Sequence, residues 1–465
     1  MRVIAGIVTG VMLLSGCTLA PHYQRPSAPV PENWPQGAAY QTASPAGRAA
    51  NDIPWREVMV DARLRQVVDM ALSDNRSLRK AIADMEAARA LYGEQRADLA
   101  PSLNATLDGT RSRALNSSGS GTSLSQSYSA GLSVSAFSLD LFGKNRSLTG
   151  AALETYLASA ETATSTRLTL IADSATAWVT LATARSDLAL ARQTMASAGQ
   201  SLAVTRSRQR NGVASAVDVA QSETVYQQAR ADVASALTTE AQSRNALDLL
   251  AGRPVPEALL PDSLESVSGA VAPVAAGISS TVLLRRPDVQ AAEHTLKSAN
   301  ANIGAARAAF FPSITLTASN GIGSSELSSL FRHGSRVWSV VPGVSLPIFD
   351  GGANLSALRY AEAEKKGYIA SYEKAVQTAF SDVADALARK GTLAEQQSAQ
   401  QDYVSAAQRS YQLASSRYRE GVDTYLNVLD AQRTLYSARQ SLISLEQSRL
   451  NNLITLYNAL GGGVD

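Results

Sequence analysis

The chain writes one sentence twice. RSRQRNGVASAVDVAQSETVYQQAR runs from Arg206 to Arg230, and SSRYREGVDTYLNVLDAQRTLYSAR runs from Ser415 to Arg439. At an offset of 209 residues, Arg208, Arg210, Gly212, Val213, Val219, Ala229 and Arg230 meet Arg417, Arg419, Gly421, Val422, Val428, Ala438 and Arg439. Earlier in each half, NRSLRKAIADMEAARALYGEQRADLAPSLNATLDG aligns with RPDVQAAEHTLKSANANIGAARAAFFPSITLTASN at an offset of 211. That second alignment pairs Leu78 with Val289, Ala81 with Ala292, Arg96 with Arg307 and Pro101 with Pro312. Whatever one half folds into, the other must fold into as well. The repeat unit is far too long for a solenoid of short repeats.

Each half changes its hydrophobic period in the same order. From Asp61 the pattern is helical: Leu64, Val67, Val68, Ala71 and Leu72 share a face, and Leu78, Ile82, Met85 and Ala88 follow, up to a stop at Pro101. Then Leu103, Ala105 and Leu107 alternate with polar residues, LNSSGSGTS makes a loop, and Leu132, Val134 and Ala136 resume the alternation with serines between them. This predicts a two-faced hairpin over 102–141. From Lys144 to Arg210 no proline occurs, and Leu181, Leu188, Met195 and Leu202 recur every seven residues, which predicts one coiled-coil-like helix of about 100 Å. Asn211-Gly212 breaks it, and a second helix is expected over 215–250. The stretch 253–280, rich in Pro, Ala, Ser and Gly, reads as a linker. Residues 281–460 then repeat the scheme: a helix, a hairpin over 313–349, a long helix over 353–419, a break at Gly421 and a helix over 422–460. A tail of 461–465 remains. Phe142-Gly143 and Phe349-Asp350-Gly351-Gly352 close the two hairpins in the same way.

Composition suits long helices packed through small side chains: aromatics are only 6% of the chain. The net charge of +2, with no Lys/Arg run, argues against nucleic acid as a partner. The amino terminus carries Arg2, then VIAGIVTGVMLL, then SGC at 15–17, which predicts a secretory signal over 1–16. Cys17 is the single cysteine, so an intrachain disulfide is excluded. Residues 17–60 read as an extended arm with Trp34 and Trp55 as anchors. No 18-residue apolar run follows, so a crossing of the membrane would need a closed β-barrel. Four strands per chain are too few for one, since known barrels need about eight or more. The economical solution is closure by a symmetric oligomer, with the helices as the wall of a wet, coaxial tube.

The signal LSGC, PENWP at 31–35, IPWREVMVDARLRQVVDMAL at 53–72, LLRRPDVQAAE at 283–293, FFPSITL at 310–316, LPIFDGG at 346–352 and YREGVDTYLNVLDAQRTLYSA at 418–438 together resemble the TolC-like outer membrane factors. The resemblance is to the lipoprotein, OprM/NodT-like branch that serves resistance-nodulation-division pumps, and it covers essentially the whole mature chain in order. It implies a mainly α protein with a membrane β-barrel: a homotrimer with a twelve-stranded barrel in the outer membrane and a twelve-helix tunnel in the periplasm. It further implies a periplasmic adaptor and an inner-membrane transporter as partners, an exit duct for small molecules such as drugs, and covalent lipid on Cys17 as the one attached group. Heavy-metal or protein cargo stays open at this point.

The doubled sentence then marks the two turns at the periplasmic mouth. Glycine permits a sharp reversal, and the small residues around it leave a shallow groove, so Gly212, Val213, Ala214, Ser215 and Gly421, Val422, Asp423, Thr424 are the expected adaptor contacts. Leu426, Asp430 and Arg433 stand at i, i+4 and i+7 and share one helix face. With Tyr418, whose hydroxyl is placed to reach a neighbouring tip, they form the expected gate, and Arg433 is the expected partner of Asp430 within or between subunits. The resemblance points to the same stretch, YLNVLDAQR. The first repeat has Val217, Gln221 and Thr224 at those places, so only one helix per protomer carries the charged gate. Enzyme chemistry finds little. Glu293-His294 lacks a second histidine at ligand spacing, and GIGSS at 321–325 lies between strands rather than before a helix. A lipid-anchored scaffold without a pore would explain the helices but not four half-polar strands.

Overall fold

A computed structural model describes residues 18–40, 48, 50–115, 121–275 and 279–463. The expected signal peptide and Cys17 lie outside the described residues, as do the last two residues of the tail. The principal elements are α1 (Ala62–Asp74), α2 (Arg76–Ala97), β1 (Asn104–Leu115), β2 (Thr122–Leu139), α3 (Lys144–Arg210), α4 (Ala216–Ala251), α5 (Pro287–Ala308), β3 (Ser313–Ser324), β4 (Arg336–Ser345), α6 (Ala353–Arg419) and α7 (Tyr425–Ala459). The fold is mainly helical, with one small sheet. Its compact units do not follow the two repeats. One gathers residues 18–27, 84–160 and 291–373, the other the rest, so each draws on both halves of the chain.

The first unit contains the sheet, antiparallel in the order β1-β2-β3-β4. Register separates two faces. Ala105 pairs with Leu132, Leu107 with Ala130 and Gly109 with Tyr128; Ala130 pairs with Ile322 and Leu132 with Asn320; Ala318 pairs with Val340 and Asn320 with Trp338. Alternate positions give the second face: Thr106, Thr110, Ser129, Ser133, Thr317, Ser319, Gly321, Ser339 and Gly343, with Val337 and Val341 among them on β4. One face is thus largely aliphatic and aromatic, the other mostly Ser, Thr and Gly. Ala136 does not stand with Leu132 and Val134 as the alternation suggested. The register shifts between Val134 and Phe137, and Ala136 adopts φ 47° with its N–H donating to Thr317 Oγ1 at 3.1 Å. The extra residue is a β-bulge, and it returns Phe137 and Leu139 to the apolar face opposite Leu316 and Ile314. Phe142 and Phe311 stack at 4.8 Å beyond the strand ends.

The arm is fastened in the same unit. Arg25 donates to Glu293 through Nε at 3.1 Å and Nη2 at 2.7 Å, the Tyr23 hydroxyl donates at 3.2 Å, and Lys297 lies 3.3 Å away. Burial pushes the Glu293 carboxyl up, but the Arg25 and Lys297 cations outweigh it and hold the group below its ordinary value.

The second unit holds the principal core. Trp55, Trp178, Tyr457, Met59, Leu64, Ile171, Leu181 and Leu247 are all buried, and the heptad positions Leu188 and Leu202 join them. Trp34 is buried against Phe380, with ring centroids 5.3 Å apart. Two expectations change here. The helix expected from Asp61 to Pro101 is two helices. Asn75 ends α1 and caps α2, with Oδ1 accepting from Ser77 and Leu78 and Nδ2 donating to Leu250 O. Nor is the Pro/Ala-rich stretch after Gly252 a loose linker. Val255, Leu260, Leu264, Val267, Val271 and Val274 are buried, and Trp178 Nε1 donates to Leu259 O at 3.0 Å. These apolar residues recur every three to five positions, which suffices to lay the stretch on the helices as a strap.

Candidate functional site

The two turns between long helices belong to the second unit and share one backbone solution. Gly212 N donates to Gln209 O and Val213 N to Arg208 O, both at 2.9 Å. Gly421 N donates to Tyr418 O at 3.1 Å and Val422 N to Arg417 O at 3.0 Å. Each is the paired carbonyl-satisfying motif that ends a helix, and each needs its glycine left-handed, with φ 74° at Gly212 and 81° at Gly421. A side chain at Gly212 would meet no atom within 4 Å, and one at Gly421 only Arg208 Nη2 at 3.8 Å. The glycines therefore serve backbone conformation rather than tight packing.

The tips present apolar side chains in matched positions. Val213 and Val217 are 64% and 63% exposed, and their counterparts Val422 and Leu426 are 64% and 60% exposed. Such exposure, repeated at equivalent places, is unusual for isolated surface residues and fits a contact surface.

Side-chain chemistry differs between the tips. In the first, Ser215 and Asp218 form a reciprocal cap on α4. In the second, Thr424 makes no side-chain cap, and Asp423 replaces it. Its Oδ1 accepts from Thr424 N at 2.8 Å and Asn427 Nδ2 at 2.6 Å, while Oδ2 accepts from Arg417 Nε at 3.0 Å. The Arg417 guanidinium, the Thr424 N–H and the Asn427 amide hold this carboxyl below the ordinary aspartate value. The first repeat has Ala214 where the second has Asp423, so Arg208, the counterpart of Arg417, has no such carboxylate. It reaches across instead. Its Nη1 donates to Tyr418 O at 2.9 Å and Arg419 O at 3.1 Å, at the negative end of α6, and its guanidinium lies 4.7 Å from the Tyr418 ring centre.

The expected gate residues separate into two groups. Leu426, Asp430 and Arg433 lie on one exposed face of α7, beside a buried stripe of Tyr425, Val428, Gln432 and Leu435. Among the described residues, neither Asp430 nor Arg433 forms an ion pair or side-chain hydrogen bond within the chain. The within-subunit pairing is therefore not made. Tyr418 is placed otherwise than expected. It is buried with Tyr425, Val428 and Leu429, its ring 5.2 Å from that of Tyr425, and its hydroxyl is enclosed without a partner among the described residues. It is a packing residue of the tip. Tyr425, Ser222 and Arg208 were missed from sequence: the buried Tyr425 hydroxyl donates to Ser222 Oγ at 2.9 Å and ties α7 to α4. The signal for Arg208 lay in aligning the repeats, where an arginine is kept and its carboxylate is not.

Residues 67–253 and 278–462 match the outer membrane efflux protein family. The chain is 45% identical over 453 residues, 97% of its length and 93% of the relative's, to the toluene efflux pump outer membrane protein TtgC of Pseudomonas putida. It is equally similar, over the same shares, to the antibiotic efflux pump outer membrane protein ArpC of Pseudomonas putida. Among solved structures it resembles the open-state MtrE outer membrane channel of Neisseria gonorrhoeae, with TM-score 0.85 and 38% identity, covering 97% of this chain and 99% of that one. With both repeats matched and the tips built alike, the chain belongs to the outer membrane efflux protein family.

Proposed function

We propose that three copies of this chain form the outer-membrane exit duct of a tripartite efflux pump and that its cargo is small and apolar or amphipathic, as the toluene and antibiotic pumps of its relatives suggest. The observation that carries the reading is the sheet: one apolar face, one Ser/Thr/Gly face, and free edges at β1 and β4 among the described residues. Pairing β4 of each copy with β1 of the next gives a closed twelve-stranded barrel with a wet lumen and no exposed edge. A scaffold without a pore would have no use for two such different faces. In this reading the helices form the periplasmic tunnel. An adaptor that bridges to the inner-membrane transporter docks at Gly212–Ser215 and Gly421–Thr424, where the exposed Val213, Val217, Val422 and Leu426 offer apolar anchors. The exposed face of Leu426, Asp430 and Arg433 lines the mouth. Since Asp430 and Arg433 are unpaired among the described residues of one chain, their partners come from neighbouring copies. Cys17 carries covalent lipid and no further cofactor is needed.

Single-channel conductance of the purified oligomer in planar bilayers tests this. The parent should conduct sparingly, and Leu426→Ala, Asp430→Ala and Arg433→Ala should each raise conductance or open probability, with the two charge variants non-additive in combination. Absence of conductance in the parent and in every variant removes the duct. Variants indistinguishable from a conducting parent remove only the gate. Mass spectrometry of the mature amino terminus should show an acylated Cys17.

A further inference from the structure

Along the apolar face of the two edge strands, side-chain type changes toward the loops. On β1 the sequence is Ala105, Leu107, Gly109, then Arg111 and Arg113, with Leu115 at the strand end. On β4, read in the same direction, it is Val344, Pro342, Val340, Trp338, then Arg336. Tyr128 is the β2 partner of Gly109, and its ring lies over that glycine: an added Cβ there would sit 3.2 Å from Tyr128 Cδ1. Trp338 is 73% exposed on the same face. Aliphatic, then aromatic, then arginine is the order in which side chains meet hydrocarbon, interface and headgroup phosphate. All three arginines are exposed, and among the described residues none pairs with a carboxylate. Arg336 Nε donates only to Asn320 Oδ1, at a long 3.4 Å. Asp108, on β1, is on the polar face, and Glu326 lies in the loop after β3.

We infer that Arg111, Arg113 and Arg336 form a binding site for a multiply phosphorylated glycolipid of the leaflet that faces the loops. The inference rests on the barrel reading above. In one chain β1 and β4 are opposite edges of the sheet. Ring closure sets Arg336 of one copy in the strand next to Arg111 and Arg113 of another, so each seam carries one composite basic site. Three guanidiniums on a two-strand seam match a headgroup bearing more than one phosphate, because each planar fork engages two phosphate oxygens at once.

The test uses the full-length oligomer in detergent and in liposomes. Bisphosphorylated lipid A, its dephosphorylated form and inorganic phosphate are titrated against the parent and against the triple variant Arg111→Gln, Arg113→Gln, Arg336→Gln. The parent should prefer the phosphorylated lipid, and the variant should bind it more than tenfold more weakly, at roughly fivefold per basic side chain near an anionic lipid surface. Both proteins should bind the dephosphorylated lipid alike, and inorganic phosphate should compete poorly. Equal binding of lipid A by both proteins, with conductance intact, overturns the lipid site and leaves the duct standing. Inorganic phosphate competing as well as lipid A overturns the lipid as the occupant. A parent that does not insert into liposomes as an oligomer overturns both.

Discussion

Gly212 and Gly421 isolate a functional question from a folding one. Both are left-handed and neither is packed in by its surroundings. A valine there should cost about 1–2 kcal/mol from backbone conformation alone, which the proposed oligomer can absorb. Thermal melting of the oligomer should therefore move little in Gly212→Val or Gly421→Val, while cross-linking to the adaptor and export of an antibiotic fall sharply. Export that survives in the double variant would assign docking elsewhere. Asp423 supplies a second residue-scale outcome. Its carboxyl is held below the ordinary value in the folded tip, so its contribution is fully present above the unfolded aspartate pKa and is lost as pH falls through the lower, folded one. Acid should therefore loosen the second tip as pH falls through the folded value of Asp423. A spin label at Thr424 would report it, and Asp423→Asn should show the loosened second tip at neutral pH. The exposed face of α7 was legible in the spacing of Leu426, Asp430 and Arg433. The burial of Tyr418 was not, because an aromatic beside a turn reads equally well as a tip residue or as a core residue until its neighbour Tyr425 is seen packed against it.

At the scale of elements, what the sequence shows best is what repetition and periodicity control. Leu181, Leu188 and Leu202 sit at heptad spacing and are buried, and the proline-free spans 144–210 and 353–419 coincide with α3 and α6. Where local chemistry competes with period, the reading fails. Asn75 sits inside an apolar pattern that continues smoothly through it, yet its side chain caps the next helix and breaks the run. The bulge at Ala136 leaves only a faint trace. Leu132, Val134 and Ala136 alternate with Ser133 and Ser135, and the phase then changes where Ala136 and Phe137 stand side by side. Two adjacent apolar residues show that the alternation slips, but not which of them leaves the ladder. The strap after Gly252 misleads by composition: proline and alanine suggest slack chain, while Leu260 and Val267 are buried as deeply as helix residues. Leu260→Ala should accordingly destabilise the folded protein by about 2–4 kcal/mol, a core penalty rather than a linker's. Asn75→Ala should cost about 1–2 kcal/mol through the lost cap. Denaturant titration followed by circular dichroism would measure both.

For the whole molecule, the free edges of the sheet decide how it reaches its membrane. Among the described residues, β1 and β4 each end the sheet with a row of backbone groups that have no strand beside them. In water those groups are solvated. In hydrocarbon each one left unpaired costs several kcal/mol, and two rows of them exceed what the apolar face recovers. On the proposed barrel, a solitary copy is therefore barred from the bilayer by its own backbone, and entry waits until other copies complete the ring. Insertion then behaves as a reaction of order above one. Halving the supply of chain should slow its arrival in liposomes by more than half, and a sparse population should accumulate as soluble, protease-sensitive protomers instead of inserting in proportion to its number.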